Sequence, residues 1–489
     1  MQPRSGRSNA RAHRRSSGRA HGGKSWATYI ALALVLVFAA GCGNRFAHSA
    51  VVQAQEGSVV KGGSGVASGN GGQASTAGGT STSGGSAATG PNPAGSGPTS
   101  SSGSSHGTGA TGSGPAASSG GGSSSAGSGS TIVLGNVGTY SGVVGASTAT
   151  VEPMLQVWAK WVNGHGGLSG HPVKVISADD GSNPSTTLSL TEQMVQQDHV
   201  VAFVDNVQPL TLNASLNYLQ QQGIPVVGGD LLSETWNQSP ILFPQGTAVD
   251  DLINNGIKAT KLSGQTKLGF LYCVETPDCT NGYTQLFTKG GAAAAGLHPT
   301  YSAQFSLAQP DFTVECQQAQ SAGVTILGLA GDANSLERMA SNCNGLGFHP
   351  QYFAFALSVV DSLKSDPNLN GLIAPVGDFP WFAGSTPASA AYLQAVQQYD
   401  PSLATSAGTS QMWTAGALLG QAITNLNGAT PTSANIIKGL DAIQNNTLGG
   451  LAPPLSFTAG QPAPRASCYF VVQIKNGAWT APEGNAPVC

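Results

Sequence analysis

Seven cysteines are the residues of this 489-residue sequence whose chemistry is most constrained by their positions. Cys42 follows an apolar N-terminal segment, and the other six lie in the C-terminal two thirds of the chain. These six are Cys273, Cys279, Cys316, Cys343, Cys468 and Cys489. An even number of cysteines in an exported chain indicates disulfides, although sequence alone leaves the connectivity open. Proximity favours the pairs 273–279, 316–343 and 468–489, and the absence of a Cys-x-x-Cys motif disfavours the alternative of a metal site.

No other cluster of reactive residue types has the spacing of a catalytic site. Gly164-His165-Gly166-Gly167 lacks the Gly-Lys-Ser/Thr ending of a phosphate loop. The Gly-x-Ser-x-Gly pattern at 103–107 lies in a Gly/Ser-rich stretch and follows no strand. Asp179 and Asp180 are adjacent at a strand end, so their side chains point to opposite faces. The sequence therefore predicts no enzyme and requires no cofactor or metal.

The charge of the chain is distributed unevenly. Residues 1–130 hold nine Lys and Arg against one acid, whereas residues 131–489 hold 11 Lys and Arg against 22 Asp and Glu. Proteins that bind nucleic acid need clustered basic residues to neutralise phosphates. The acidic C-terminal part therefore excludes DNA and RNA as expected partners.

The N-terminus has the organisation of an export signal. Basic residues precede an apolar run of 15 residues, Trp26–Ala40, which is short for a membrane span but typical of a signal peptide. The run ends in Ala39-Ala40-Gly41-Cys42, which resembles the bacterial lipobox, whose cysteine is acylated and becomes the first residue of the mature protein. We expect a lipoprotein signal peptide at 1–41 and lipidation of Cys42. An uncleaved signal anchor is the alternative, and general secretion is favoured over twin-arginine export because no apolar residues follow Arg14-Arg15.

Residues 42–130 are predicted to form a disordered tether behind the acylated cysteine. The segment consists mostly of Gly, Ser, Ala and Thr, and such a composition cannot bury enough apolar surface to offset its ordering entropy. A flexible coil of this length has a root-mean-square span on the order of 50 Å. The tether would therefore hold the folded part away from a membrane.

The pattern of elements from residue 131 onward predicts an α/β fold with mostly parallel sheets. Strands and helices alternate with short connections, which is typical of doubly wound sheets. Met154, Leu155, Trp158, Trp161 and Val162 share one face of the first helix. The alternation restarts near Lys267, which indicates two successive lobes. Predicted strands are 131–137, 172–178, 200–204, 224–227, 267–272, 300–305 and 324–329, and predicted helices include 188–197, 212–222, 282–295, 312–322 and 335–342.

Four segments together resemble the opening of the leucine/isoleucine/valine-binding protein family. They are Gly138–Gly142 (GTYSG), Val162–Val173 (VNGHGGLSGHPV), Asp179–Pro184 (DDGSNP) and Gln222–Gly228 (QGIPVVG). These proteins have the type I periplasmic-binding fold of ABC importers. The resemblance covers residues 131–489.

The resemblance implies two lobes that are joined by crossover strands and close on a small molecule. Lobe one is expected at 131–247 and 374–452, and lobe two at 248–373 and 453–489. Ligands of open parallel sheets bind outside the carboxyl ends of the strands, so the turns after the strands are candidate sites. The expected ligand-binding residues are Tyr140, Ser141, Asn206, Gln208 and Asp230 in lobe one, and Tyr283, Asp332 and Trp381 for the other half. For Trp381, packing at the hinge is favoured over stacking on a ligand.

Two departures from the family's sequence pattern change which ligand is expected. The stretch Asn206–Pro209 lacks the hydroxyl groups that hold the carboxylate of an amino acid, and Phe353–Leu357 lacks the acid that holds its ammonium group. A buried ammonium without an acceptor is costly. An amino acid is therefore only one candidate, and a small, partly apolar solute, uncharged or anionic, is favoured.

The sequence thus predicts an extracytoplasmic solute-binding lipoprotein of an ABC importer. It would capture a small molecule between its lobes and present it to permease subunits. It would be attached to the outer face of the cytoplasmic membrane through its lipid only. The alternative is a ligand sensor or receptor module of the same fold without a role in transport, because fold alone does not separate these functions.

We predict that Cys42 is acylated. The variant Cys42→Ala should lack the lipid adduct in mass spectrometry and should move from the detergent phase to the aqueous phase on partitioning. A wild-type protein without a lipid adduct, and with the same partitioning as Cys42→Ala, would contradict the lipoprotein prediction.

Overall fold

The computed structural model describes residues 129–489 except residues 143, 356 and 357. The expected signal peptide at 1–41, the lipidation site Cys42 and the tether, apart from its last two residues, lie outside the described part. Within that part, no helix combines the length and the apolarity needed to cross a membrane.

The first sheet contains five parallel strands in the spatial order β2-β1-β3-β4-β5. The strands are β1 (Ile132–Gly138), β2 (Val173–Asp179), β3 (Ala202–Asn206), β4 (Val226–Gly229) and β5 (Leu242–Phe243). Strands β3, β4 and β5 are buried along their whole length, as parallel strands are when helices cover both faces of a sheet. The predicted α/β class with parallel sheets is confirmed.

The connections of this sheet form four helices. They are α1 (Gly145–Thr148), α2 (Val151–Gly164), α3 (Pro184–Gln196) and α4 (Leu212–Gln222). The helix α2 buries the apolar face predicted from its periodicity, including Met154 and Trp158. The side chain of Asn183 accepts the Ser185 N–H at 2.9 Å and begins α3, where Pro184 is the first residue.

Asp180 ties the carboxyl ends of this lobe together. Its two carboxylate oxygens accept hydroxyl hydrogen bonds from Thr139 at 2.7 Å, Thr187 at 2.9 Å and Thr211 at 2.6 Å. Asp180 is buried and its neighbour Asp179 is exposed, so the two carboxylates do not share a site. The Asp180 contacts fix the turn after β1 relative to α3 and α4.

The second sheet has seven strands in the order β12-β11-β10-β9-β8-β6-β7. The strands are β6 (Lys267–Cys273), β7 (His298–Phe305), β8 (Ile326–Ala330), β9 (Gln351–Ala354), β10 (Ile373–Val376), β11 (Phe470–Lys475) and β12 (Ala478–Thr480). Neighbouring strands within the group β6 to β10 pair in parallel. The strands β11 and β12 pair antiparallel and form one edge of the sheet.

Five helices accompany this sheet. They are α5 (Val249–Gly256), α6 (Pro277–Tyr283), α7 (Gly291–Ala294), α8 (Thr313–Ser321) and α9 (Ala333–Gly345). The sequence predicts one helix over 282–295, but the structure begins it earlier and interrupts it. A π-helical turn at Thr284–Thr288 follows α6, and Gly290 then has a φ of 81°, a left-handed conformation that ends a right-handed helix.

The chain returns to the first sheet before it ends in the second. The helices α10 (Pro387–Tyr399), α11 (Ala407–Thr424) and α12 (Ser433–Asp441) follow β10, and α11 packs on β3, β4 and α2. A close contact of Gly416 with the Trp158 ring leaves no room for a Cβ there. The chain therefore crosses between the sheets after β5, after β10 and after α12. A lobe border is expected from the sequence at residue 374, which lies within β10. The second of these crossovers therefore begins after Val376.

Three disulfides join the pairs that proximity in the sequence favours. Cys273–Cys279 links the end of β6 to α6, Cys316–Cys343 links α8 to α9, and Cys468–Cys489 holds the C-terminus beside the start of β11. The described cysteines are thus all paired, as expected for an oxidising compartment.

Removal of a disulfide should destabilise the protein more when the bridge closes a longer loop. The sequence separations are 27 residues for Cys316–Cys343 and 6 for Cys273–Cys279. On the chain-entropy model, C316A/C343A should lower the free energy of unfolding by about 3.5 kcal/mol and C273A/C279A by about 2 kcal/mol. Urea unfolding of the two variants measures both values. A larger loss for C273A/C279A would show that loop entropy does not set the order.

Candidate ligand-binding cleft

The carboxyl ends of the strands of both sheets surround one cavity. Its volume is about 120 Å³, which is enough for about four water molecules at ~30 Å³ each or for a solute of about the size of benzene. Ligands of parallel sheets bind at this end of the strands because the turns there can be varied without disturbing the sheet. The cavity is therefore the candidate ligand site.

The first lobe contributes turn residues to this cavity. Val144, Ser147 and Thr148 follow β1, Pro209 follows β3 and Leu232 follows β4. The hydroxyl of Thr148 donates to the carbonyl of Thr139, so the turn after β1 is held against the strand from which it comes.

The second lobe and the first crossover form the rest of the wall. Four turns of the second sheet contribute, together with one apolar face of α5. The lining residues are Cys273, Thr276, Asp278, Cys279 and Gly282 after β6, Leu307 after β7, Ala330, Gly331 and Asp332 after β8, Phe355 and Ser358 after β9, and Val249, Leu252 and Ile253 on α5. Most of these groups are apolar, so the cavity suits the body of an apolar solute.

The Cys273–Cys279 disulfide is itself part of the wall. The hydroxyl of Thr276 lies 3.5 Å from the sulfur of Cys273 and 3.3 Å from that of Cys279. The six-residue bridge keeps the loop short and holds Asp278 in the first turn of α6. The disulfide therefore positions an acidic side chain in the cavity.

Asp278 is an incompletely paired acid in these surroundings. Its Oδ2 atom is buried and has no hydrogen-bond partner among the described residues. Burial raises the pKa of this carboxyl to about 8, and the negative charge of Asp230 adds to the effect. Asp278 is thus protonated at neutral pH in the absence of ligand.

A smaller cavity adjoins the large one and shares Leu232, Val249 and Leu252 with it. Its volume is about 20 Å³, the size of one or two water molecules. Asp230 and Asp378 are the charged residues that line it. This small cavity is called the acidic pocket below.

Of the two acids of this pocket, Asp230 is held by the backbone of the first lobe. The Asp230 carboxylate accepts the Gln208 N–H at 2.6 Å and the Leu232 N–H at 2.9 Å, and burial raises its pKa to about 6. Gly246 lies beside Asp378, because a Cβ there would approach both carboxylate oxygens to 2.9 Å. Burial also raises the pKa of Asp378 well above its usual range.

Asp205 lies at the end of β3, close to these two acids. It is fully buried with a φ of 52°, and neither carboxylate oxygen has a hydrogen-bond partner among the described residues. Burial and the negative charges of Asp230 and Asp378 raise its pKa far above the usual range. Left-handed backbone at a buried acid is a strained arrangement of the kind found at binding sites.

Of the predicted site residues, two line the cavities. Asp332 lines the large cavity, and its Oδ1 also accepts the Ser335 N–H at 2.7 Å as the cap of α9. Asp230 lines the acidic pocket. The predicted turns around Gly282, Gly331 and Phe355–Ser358 also contribute to the wall.

The other predicted residues of lobe one do not line the cavities. The Tyr140 hydroxyl donates to Asn136 Oδ1 at 2.6 Å, and burial raises its pKa. Asn206 Oδ1 accepts the Val137 N–H at 3.2 Å. The Ser141 N–H donates to Asp179 at 3.3 Å on the outer edge of the lobe. Gln208 is buried, and neither end of its carboxamide has a partner among the described residues.

The predicted aromatic residues of the other half pack against neighbouring rings. Tyr283 stacks on Tyr272 at a centroid distance of 4.6 Å. Trp381 is fully buried, packs on Trp479 at 5.1 Å and donates to Asp361 Oδ1 at 3.4 Å. These contacts favour the interpretation of Trp381 as a hinge residue.

Sequence reasoning missed Asp278, Asp378 and the apolar face of α5. Asp278 had a signal in the sequence, because a disulfide over 273–279 must keep that loop at the carboxyl end of β6. Asp378 and α5 follow chain crossovers, and their approach to the cavity depends on how the lobes are joined.

Within the described residues, no group of three or more His, Cys, Asp or Glu side chains is arranged to hold a metal ion.

A family model described as periplasmic binding protein matches residues 131–478. The chain belongs to the periplasmic binding protein family. The resemblance to leucine/isoleucine/valine-binding proteins is thereby confirmed. The family consists of solute-binding and receptor proteins and not of enzymes, in agreement with the cavity described above.

Solved structures of periplasmic binding proteins share this fold at low sequence identity. A possible leucine/isoleucine/valine-binding protein from Rhodopirellula baltica is 16% identical, with a TM-score of 0.62 over 72% of this chain and 96% of that one. A fatty acid ABC transporter substrate-binding protein from Thermomonospora curvata is 16% identical, with a TM-score of 0.60 over 73% and 92%. A solute-binding protein of an R. palustris ABC transporter, in complex with benzoate, is 14% identical, with a TM-score of 0.59 over 73% and 97%. No curated protein sequence matches the chain.

The raised pKa of Asp278 should make stability fall as pH rises. The folded-state pKa of about 8 exceeds the unfolded value of about 3.9, so the stabilising contribution is complete below about pH 4 and is lost as pH rises through 8. The free energy of unfolding of Asp278→Asn, measured by urea unfolding, should therefore exceed that of the wild type by at least about 1 kcal/mol at pH 8.5. The difference between the two proteins should be smaller at pH 5. Asp198→Asn, at a partly exposed aspartate beyond α3, is the control. An equal gain for both variants at pH 8.5 would contradict the role of burial at Asp278.

Proposed function

We propose that this protein is the extracytoplasmic solute-binding lipoprotein of an ABC importer. It captures a small, mainly apolar solute between its lobes and presents it to permease subunits at the outer face of the cytoplasmic membrane. The observation that carries the proposal is the single cavity lined from the carboxyl ends of both sheets and from the crossover helix α5.

The position of the cavity supports a closing mechanism. A ligand shifts the lobes toward a closed state only if it binds that state more tightly than the open one. Ser147 and Leu232 from one lobe and Gly331 and Phe355 from the other line the same space. A solute in this space would contact both lobes and so supply the difference in affinity.

The crossover segments meet at one residue that can serve as the hinge. The Thr247 hydroxyl, in the first crossover, donates to the carbonyl of Cys468 at 2.6 Å and to that of Gly377 at 3.2 Å. These carbonyls belong to the other two crossovers. Closure by hinge motion concentrates backbone changes in a few linking residues, and we assign that role to the segments around Thr247.

Two further observations support transport. The N-terminal sequence predicts an acylated cysteine and a tether, which would keep the binding domain at the membrane surface. Similar structures include the fatty acid and benzoate binding proteins of ABC transporters named above. A sensor of the same fold remains the second candidate, and adjacent genes for two permeases and two ATPases, rather than for a kinase or regulator, would separate the two.

The first test of this function is the occupancy of the cavity. We expect mass spectrometry of small molecules released from the denatured protein to identify a solute, and calorimetry with that solute to show binding. Ser147→Trp, which places an indole in the cavity, should weaken binding at least about tenfold, equivalent to about 1.4 kcal/mol. Ser189→Trp on the exposed side of α3 is the matched control and should bind like the wild type.

Solution scattering tests closure with the same solute. A smaller radius of gyration is expected at saturation, and Ser147→Trp should need a correspondingly higher solute concentration to show the same change. If scattering with saturating solute equals that of the free protein, the closing mechanism fails. If Ser147→Trp binds as tightly as Ser189→Trp, the cavity is not the site.

A further inference from the structure

We propose that the solute carries one protonated amine and no carboxylate, and that its ammonium group enters the acidic pocket while its apolar body fills the large cavity. The proposal rests on the proposed function, because it names the class of solute for the same cleft. It replaces the sequence-based preference for an uncharged or anionic solute.

The lining of the large cavity offers no positive charge to an anionic solute. Asp278 and Asp332 line the cavity, and no Lys, Arg or His is found among its described lining residues. A carboxylate placed there would be removed from water without a counter-ion, which is costly. The lining instead provides apolar surface for most of a solute and acids for one end of it.

The acidic pocket has the size and the chemistry for an ammonium group. Its volume of about 20 Å³ matches one water-sized group, and it opens beside Leu232, Val249 and Leu252 of the larger cavity. A primary ammonium is a compact group with three hydrogen-bond donors. Asp230 and Asp378 offer carboxylate oxygens as acceptors on the pocket wall.

Unpartnered oxygen atoms at this pocket point to a missing donor. Asp378 is only 3% exposed and lines the pocket, yet its Oδ1 has no partner among the described residues. Both oxygens of Asp205, which is fully buried nearby, are also unpartnered. Buried polar atoms in native proteins almost always have partners, so an ammonium donor in the pocket would complete the hydrogen bonding of Asp378.

The electrostatics of the acidic pocket agree with this assignment. Burial raises the pKa of Asp378, and burial together with the charges of Asp230 and Asp378 raises that of Asp205. Several acids are thus crowded without a cation of the protein. A bound ammonium would supply that charge and make ionisation of a neighbouring carboxyl favourable.

Two arginines that bond to residues on or beside the cavity walls do not line the cavities. Arg465 lies 2.7 Å from Asp251 and 3.6 Å from Asp250. Arg338 donates to the Leu307 carbonyl and to the Ser335 hydroxyl, each at 2.9 Å. Neither residue lines the two cavities. Arg338 is the one that could attract a carboxylate at the rim near Leu307, and the experiment includes it for that reason.

The test compares solutes that differ only in the head group. Calorimetry would measure three sets at pH 7: butylamine, 1-butanol and butyrate; hexylamine, 1-hexanol and hexanoate; and benzylamine, benzyl alcohol and benzoate. In at least one set, the amine should bind about tenfold or more tightly than the alcohol, as expected for a charge-assisted hydrogen bond. The carboxylate should bind most weakly.

Variants assign the preference to the pocket. Asp378→Asn should reduce the affinity for the amine about tenfold and leave that for the alcohol unchanged, whereas Asp198→Asn should change neither. Asp230→Asn, at the other acid that lines this pocket, provides a second variant should Asp378→Asn unfold, and it should also weaken the amine selectively. An amine preference that persists in both acid variants overturns the assignment.

The remaining outcomes separate this inference from the proposed function. If an alcohol or a carboxylate binds best and closes the lobes in scattering, the inference fails and the function stands. A carboxylate preference that Arg338→Gln abolishes would place an anion at the rim instead. If the amine binds best without any change in scattering, the inference stands and closure fails. Absence of binding by every solute in the three sets overturns the inference.

Discussion

Parallel pairing of strands is the constraint from which the binding geometry follows. Parallel neighbours place all their carboxyl ends at one edge of a sheet, so the turns after β1, β3 and β4 meet at one end of the first lobe. The same holds for the turns after β6 to β9 in the second. Because the chain crosses three times between the sheets, these two edges face a common cavity. The crossovers are held together by the hydrogen bonds of Thr247.

The cavity combines apolar walls with acids that are difficult to ionise. Asp205, Asp230, Asp278 and Asp378 come from four different places in the chain, yet burial raises the pKa of each. Their spacing in the sequence carries no motif. Carboxyl groups whose pKa is perturbed by burial and by neighbouring charges cluster at functional sites. The proposed ammonium ligand would make this cleft such a site.

Disulfides and caps fix the wall so that the acids keep their positions. The Cys273–Cys279 bridge holds Asp278 at the end of β6, and Asp332 lines the cavity while capping α9. Asp180 fixes the turn that carries Ser147 through three threonine hydroxyls. The site is thus built on rigid elements, and motion is left to the crossovers.

The sequence by itself determined the α/β class and the family and favoured the three disulfide pairs, because local periodicity, turn motifs and short loops depend on near neighbours. It also predicted ligand contacts in the turns after strands, and of the predicted residues Asp332 and Asp230 line the two cavities. Only the tertiary structure decided which turn residues reach the cavity. Tyr140 follows the motif of the first turn but bonds to Asn136 in its own lobe. Asp378 lies far from Asp230 in sequence and meets it only because β10 joins the second sheet before the chain crosses back. Such contacts depend on how the sheets are joined, and no local pattern encodes that.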